Sequence, residues 1–156
     1  MIGWLKGVLR LKYKDYIVLD VNGVGYVVFT DYKGIVGERV EFFIDMQIRQ
    51  DNTTLFGFVH EYKYNLFLLM MKINGLGGKA ILKIFECFDF DQIKDIILSE
   101  DINMLKKVPG IGDKTAKRIV LEVKKKDLLL IEKKCDISSI NTLEKSRDVL
   151  DEASND

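Results

Sequence analysis

Two short stretches carry the residue types and spacings best suited to chemistry, and in both the chemistry is capture of an anion by the main chain. The first to stand out is Lys106 to Lys126, KKVPGIGDKTAKRIVLEVKKK, centred on Pro109-Gly110-Ile111-Gly112. Two glycines one residue apart permit positive φ and a tight turn. Pro109 argues against a helix running through that turn. Ala116, Ile119, Val120 and Val123 then repeat at the spacing of one helix face, and Ile102, Leu105 and Val108 suggest a short helix leading in. The unit expected is helix, glycine hairpin, helix. Its glycines bare the backbone, and the first turn of the second helix adds unpaired N–H donors and the positive end of the helix dipole. Lys114, Lys117 and Arg118 add formal charge beside them. The ligand such a unit suits is a phosphate, held without regard to base identity.

The unit occurs twice. Met71 to Ile84 reads MKINGLGGKAILKI, and a shift of 35 residues lays Lys72 on Lys107, Gly75 on Gly110, Leu76 on Ile111, Gly77 on Gly112, Lys79 on Lys114 and Lys83 on Arg118. An internal repeat of this kind is far more specific than one glycine pair. The candidate phosphate-contacting residues are therefore Gly75, Leu76, Gly77, Gly78, Lys79 and Lys83 in the first hairpin. In the second they are Gly110, Ile111, Gly112, Lys114, Thr115, Lys117 and Arg118. The amides around Leu76, Gly77, Ile111 and Gly112 are expected to make the grip, with the lysines and arginine supplying charge.

Catalytic constellations are sparse. His60 is the only histidine, which argues against histidine triads and histidine-rich metal sites. Cys87, in a helix of apolar character, is expected to pack rather than react. Gly23-Val24-Gly25 lacks the third glycine of a dinucleotide fingerprint and is expected to be a hairpin turn, and no GxxxxGK[ST] phosphate loop exists. Asp89, Asp91 and Asp95 suit helix starts and a solvated face better than a metal site. No catalytic residue, metal or cofactor is expected. A helix-hairpin-helix nuclease or glycosylase, using Lys124 to Lys126 and Asp127, is the enzymatic alternative. A weakly binding adaptor is another.

The elements that must position the hairpins follow from periodicity. Ile2 to Leu11, Tyr16 to Val21, Gly25 to Thr30, Arg39 to Ile44 and Thr53 to Phe58 read as strands separated by turn signals at Lys14-Asp15, Asn22-Gly23, Lys33-Gly34 and Asp51-Asn52. Short strands so spaced suit a small barrel, of the oligonucleotide-binding (OB) type or a generic one. From Glu61 the pattern turns helical: Glu61 to Lys72, Ala80 to Cys87, Phe90 to Leu98 and Asp101 to Lys107, with Asp91 and Ser99 as caps. The fold class is thus multidomain α and β, an N-terminal OB-type β-barrel followed by an all-α tandem helix-hairpin-helix domain. The divisions are 1–60 for the barrel, 61–126 for the hairpins, and 127–156 for a linker and a reduced or truncated C-terminal domain, with a helix over Thr142 to Leu150.

The tandem hairpins, the opening MIGWLKG and the run DVNGVGYVV together resemble the RuvA family, the bacterial Holliday-junction-binding subunits of branch migration. The resemblance spans residues 1 to about 126. It implies a homotetramer, possibly an octamer, that opens a four-way DNA junction. It also implies partnership with a RuvB-like ATPase motor and a RuvC-like resolvase, any ATP hydrolysis belonging to the motor. In that family the hairpin at Arg49-Gln50-Asp51-Asn52 carries an acidic pin at the junction centre. Here Asp51 keeps one carboxylate and Gln50 stands where the first acid is expected. A solvated turn is the alternative for Asp51. Relatives often carry Lys at the position of Asp113.

Composition sets the outer limits. The 156 residues hold 24 basic and 24 acidic side chains, a balance unlike the basic excess usual for nucleic-acid binders. The positive residues nevertheless gather at the hairpins and the acids at Asp89 to Asp101 and the tail, which allows one basic face. No apolar run is long enough to span a membrane, the start lacks signal-peptide features, and two cysteines make no disulfide framework. A cytoplasmic location without membrane association is expected.

Overall fold

The computed structural model describes residues 1–134. The expected helix over Thr142 to Leu150 and the reduced third domain lie outside the described residues. Strands β1 (Trp4–Lys12), β2 (Tyr16–Val21), β3 (Val24–Phe29), β4 (Arg39–Arg49) and β5 (Asn52–Phe58) close into a barrel in the order β1-β2-β3-β5-β4. All pairings are antiparallel except β3 with β5. This is the OB-type arrangement. β1 serves two neighbours: an irregularity between Leu9 and Leu11 lets it pair with β4 over Trp4 to Val8 and with β2 onward to Lys12. Gly23 lies in the two-residue β2–β3 hairpin, where Asn22 and Gly23 both take positive φ, 51° and 88°.

Alternation along each strand fills the barrel with Leu9, Ile17, Leu19, Val28, Phe42 and Ile44. At the end of β5 the alternation disappears, and Leu55, Phe56, Gly57 and Phe58 are all buried. A strand loses its polar face where a second layer covers it. That layer is helical: α1 (Glu61–Met71), α2 (Gly78–Cys87), α3 (Phe90–Leu98), α4 (Ile102–Lys106) and α5 (Asp113–Glu122). Phe56 and Phe58 both meet Phe67 of α1, with ring centroids 5.2 and 4.8 Å apart, and join the helical core. A half-buried ion pair, Lys63 to Asp31 at 2.5 Å, ties α1 to the loop after β3.

Several boundaries differ from the sequence expectation. β4 runs on to Arg49, because Met46 to Arg49 pair with Leu55 to Asn52 despite the polar Asp45 and Gln47. The cap of α3 is Asp89, not Asp91: its carboxylate accepts from the Gln92 backbone N–H, while the Asp89 backbone N–H donates to the Gln92 side-chain oxygen. Ser99 closes α3 at its C-terminus, and Asp101 caps α4 through the Met104 amide. Cys87 ends α2 exposed rather than packed. The largest difference lies after α5. Residues 125–134 are helical, and Leu128 and Ile131 are buried in the helical core. Lys94 of α3 bonds Glu132 at 2.9 Å. Lys125 and Lys126 thus open a packed helix, where a basic helix end and a linker from Asp127 were expected.

Candidate nucleic-acid interface

Each hairpin is built from the same bonds. In the first, the amides of Lys72 and Ile73 donate to Leu69 and Met70, and the Leu76 amide donates to the Ile73 carbonyl at 3.2 Å. In the second, Lys107 and Val108 donate to Met104 and Leu105, and Ile111 donates to Val108 at 3.1 Å. Gly75 and Gly110 sit at φ +84° and +88°, the left-handed region that a side chain strains. Gly77 and Gly112 then take extended N-cap conformations, φ −91° ψ 164° and φ −90° ψ 179°. Their carbonyls accept the first helical bonds, from Ile81 and Ala116. The 35-residue repeat in the sequence is therefore a repeat in backbone geometry.

This geometry decides which amides remain for a ligand. Those of Leu76 and Ile111 are committed inside their turns, and both side chains are buried anchors at 4% and 5% exposure. These bonds and buried side chains hold the hairpins in shape. The donors left without a backbone partner are the first-turn amides that follow, at Gly77, Lys79 and the buried Gly78 and at Gly112, Asp113 and Lys114. A Cβ on Gly77 or Gly112 would meet nothing within 4 Å. Gly78 is different. Its Cβ would fall 2.5 Å from the Phe56 ring, so this glycine lets α2 close onto the barrel.

The charged candidates divide likewise. Lys83 and Lys114 are exposed, and Thr115 is half-buried. Lys79 extends over the Phe29 ring, its Nζ 4.7 Å from the centroid, which anchors its stem beside the first hairpin. Arg118 reaches from α5 to the other hairpin and donates from Nη1 to the Asn74 carbonyl at 2.9 Å. It joins the two turns across 44 positions of sequence. Lys117 bonds Asp113 at 2.8 Å, and Lys106 lies 3.7 Å from the same carboxylate. The Lys117 contact holds the Asp113 carboxyl below the usual carboxylate range, and Asp113 in turn raises Lys117. The sequence offered only part of this: Asp113 and Lys117 are four apart on one helix, but Lys106 meets Asp113, and Arg118 meets Asn74, only through the fold.

Asp51 stands in the exposed two-residue turn between β4 and β5, beside Gln50. Asp89 is occupied in its capping box, and among the described residues no group of three or more His, Cys, Asp or Glu is placed to hold a metal ion. Among the described residues, too, no helix is long and apolar enough to cross a membrane.

Comparison with known proteins agrees with this geometry. Residues 1–57 match the family model described as RuvA N terminal domain, and residues 67–125 match the SAM-like helix-hairpin-helix tandem. The chain is similar to the Holliday junction branch migration complex subunit RuvA of Bartonella quintana (strain Toulouse), 38% identical over 82% of this chain and 65% of the relative. The protein of that name from Desulforamulus reducens is 39% identical over 81% of this chain and 65% of the relative. That from Fusobacterium nucleatum subsp. nucleatum is 37% identical over 81% and 67%. The chain thus matches about 65% of the length of such relatives. With its barrel, its paired hairpins and this similarity all in agreement, the chain belongs to the RuvA family.

Proposed function

We propose that the protein binds four-way (Holliday) DNA junctions, without regard to sequence, as the DNA-binding subunit of a branch-migration complex in recombination and repair. The observation that carries this is the pair of matching hairpins, joined by Arg118 to Asn74, with open first-turn amides on each. Two such hairpins per protomer suit phosphates on one duplex arm. Gly77, Gly78, Lys79, Gly112 and Lys114 supply the amides, and Lys79, Lys83, Lys114, Lys117 and Arg118 the positive field. Gly75, Leu76, Gly110 and Ile111 set the turn, and Thr115 lines the start of α5. Asp51 is a single-acid pin that keeps phosphates apart at the crossover.

One protomer offers few contacts, and a symmetric ring multiplies them. The assembly proposed is a homotetramer, with an octamer as its doubled form. The chain itself is non-catalytic. A RuvB-like motor supplies ATP hydrolysis, and a RuvC-like resolvase acts on the same junction. The barrel is assigned to 1–60 and the DNA-binding hairpins to the helical domain, which by burial of Leu128 and Ile131 extends past residue 126. Similarity to the named relatives supports this assignment.

The test is a gel shift of a four-way junction against a linear duplex of the same arms. The junction should be retained at much lower protein concentration, with affinity falling steeply as salt rises. Equal affinity for both, or an affinity indifferent to salt, contradicts the proposal.

A further inference from the structure

The two hairpins differ in one charged feature. Three basic positions are shared by the repeat: Lys72 with Lys107, Lys79 with Lys114, and Lys83 with Arg118. The second hairpin has two lysines more, Lys106 and Lys117, where the first has Met71 and Leu82. It also has an acid, Asp113, where the first has Gly78. Both additional lysines meet that acid, at 3.7 and 2.8 Å. Among the described residues Lys72, Lys79 and Lys83 have no acidic partner. The first hairpin could not hold the same device, because any side chain at Gly78 would strike Phe56.

Asp113 is the first residue of α5, and its carboxylate lies between two ammonium groups. A DNA phosphate at this hairpin would seek the same two ammonium groups. We infer that Asp113 is an internal stand-in for phosphate, so that the second hairpin engages DNA by exchanging one anion for another and the first hairpin is the primary grip. This rests on the DNA-binding function proposed above and adds a regulation to it. A strand approaching the second hairpin meets a carboxylate and two lysines already satisfied. Lys106 and Lys117 must release Asp113 before they neutralise a phosphate, and the freed carboxylate then takes up a cation from solution. Net counterion release at this hairpin is smaller, and its hold on DNA is weaker and less dependent on salt. A firm grip beside a yielding one suits a protein whose DNA must slide through it.

The test is fluorescence anisotropy of a labelled four-way junction with the full chain over a series of KCl concentrations, comparing wild type with Asp113→Asn, Lys117→Gln and the double variant. Asp113 is exposed, and a melting curve of each variant checks that it folds. Asp113→Asn should bind about 10-fold tighter at low salt, with a log–log slope steeper by about one. Lys117→Gln should weaken binding in wild type, where Asp113 shares the lysine, and several-fold more in the Asp113→Asn background. A folded Asp113→Asn that binds with wild-type affinity and slope, or a Lys117→Gln effect equal in both backgrounds, overturns the inference while the junction-binding function stands. A wild-type chain that binds no junction removes that function and this inference together.

Discussion

The double substitution Gly77→Val with Gly112→Val separates DNA binding from folding. Both glycines are N-caps in extended conformations, φ −91° and −90°, which any residue adopts. Neither would bring its Cβ within 4 Å of another atom, so the cost to the fold is confined to cap preference. Glycine is a moderate cap and valine a poor one, a difference of about 0.5–1 kcal/mol per site, or about 1–2 kcal/mol for the pair. That is an appreciable part of the roughly 5–15 kcal/mol by which a domain is stable, yet not enough to unfold it. The branched side chains would nevertheless stand over the open first-turn amides. Hydrogen bonds to a charged group are worth about 1.5–3 kcal/mol each, and losing one per hairpin predicts a fall in affinity of more than about 100-fold. Anisotropy with a labelled junction measures the affinity, and circular dichroism melting measures the fold. A variant that melts within a few degrees of wild type yet binds within about 3-fold of it would refute the mechanism, because the amides would then be irrelevant.

Three further outcomes follow from contacts elsewhere. Gly78→Ala should destabilise the protein by about 1–3 kcal/mol in denaturant unfolding, since its methyl would press on Phe56, itself packed between Phe67 and Phe29. An unchanged midpoint would show that α2 yields easily. Arg118→Met should leave the melting temperature nearly unchanged, because its bond to Asn74 is exposed, but should weaken junction binding by loosening the register of the two hairpins. Tyr32 donates to Glu38, which pushes the phenol up to about 12. Its contribution to stability is therefore complete below pH 10 and fades as pH rises towards 12. Absorbance titration should show one late tyrosine, absent in Tyr32→Phe.

The features most legible in the sequence were those with a local cause. The turns need a positive φ at Gly75 and Gly110, which glycine takes without strain, so the hairpins could be read from two glycines and a repeat. The strand cores showed in alternation, and β2 was bounded at both ends because Lys14-Asp15 and Asn22-Gly23 flank it. What escaped depends on the third dimension. Gly78 reads in sequence as one more phosphate glycine, and only the approach of Phe56 reveals its packing task. Repeat alignment equated Arg118 with Lys83, but equivalence in a repeat does not tell which carbonyl a side chain will reach. The helix over residues 125–134 was hidden by its charged start, KKKD, although Leu128 and Ile131 already lie at helical spacing. β4 was cut short because Asp45 and Gln47 interrupt its apolar run, whereas cross-strand pairing with β5 carries it to Arg49.

The most direct trial is amide hydrogen exchange with and without a four-way junction. The open amides at Gly77 to Lys79 and Gly112 to Lys114 should exchange quickly in the free protein and slow markedly when DNA is bound, in both hairpins. Slowing confined to the barrel, with both hairpin turns exchanging as fast as in the free chain, would contradict the claim that the main chain holds the DNA.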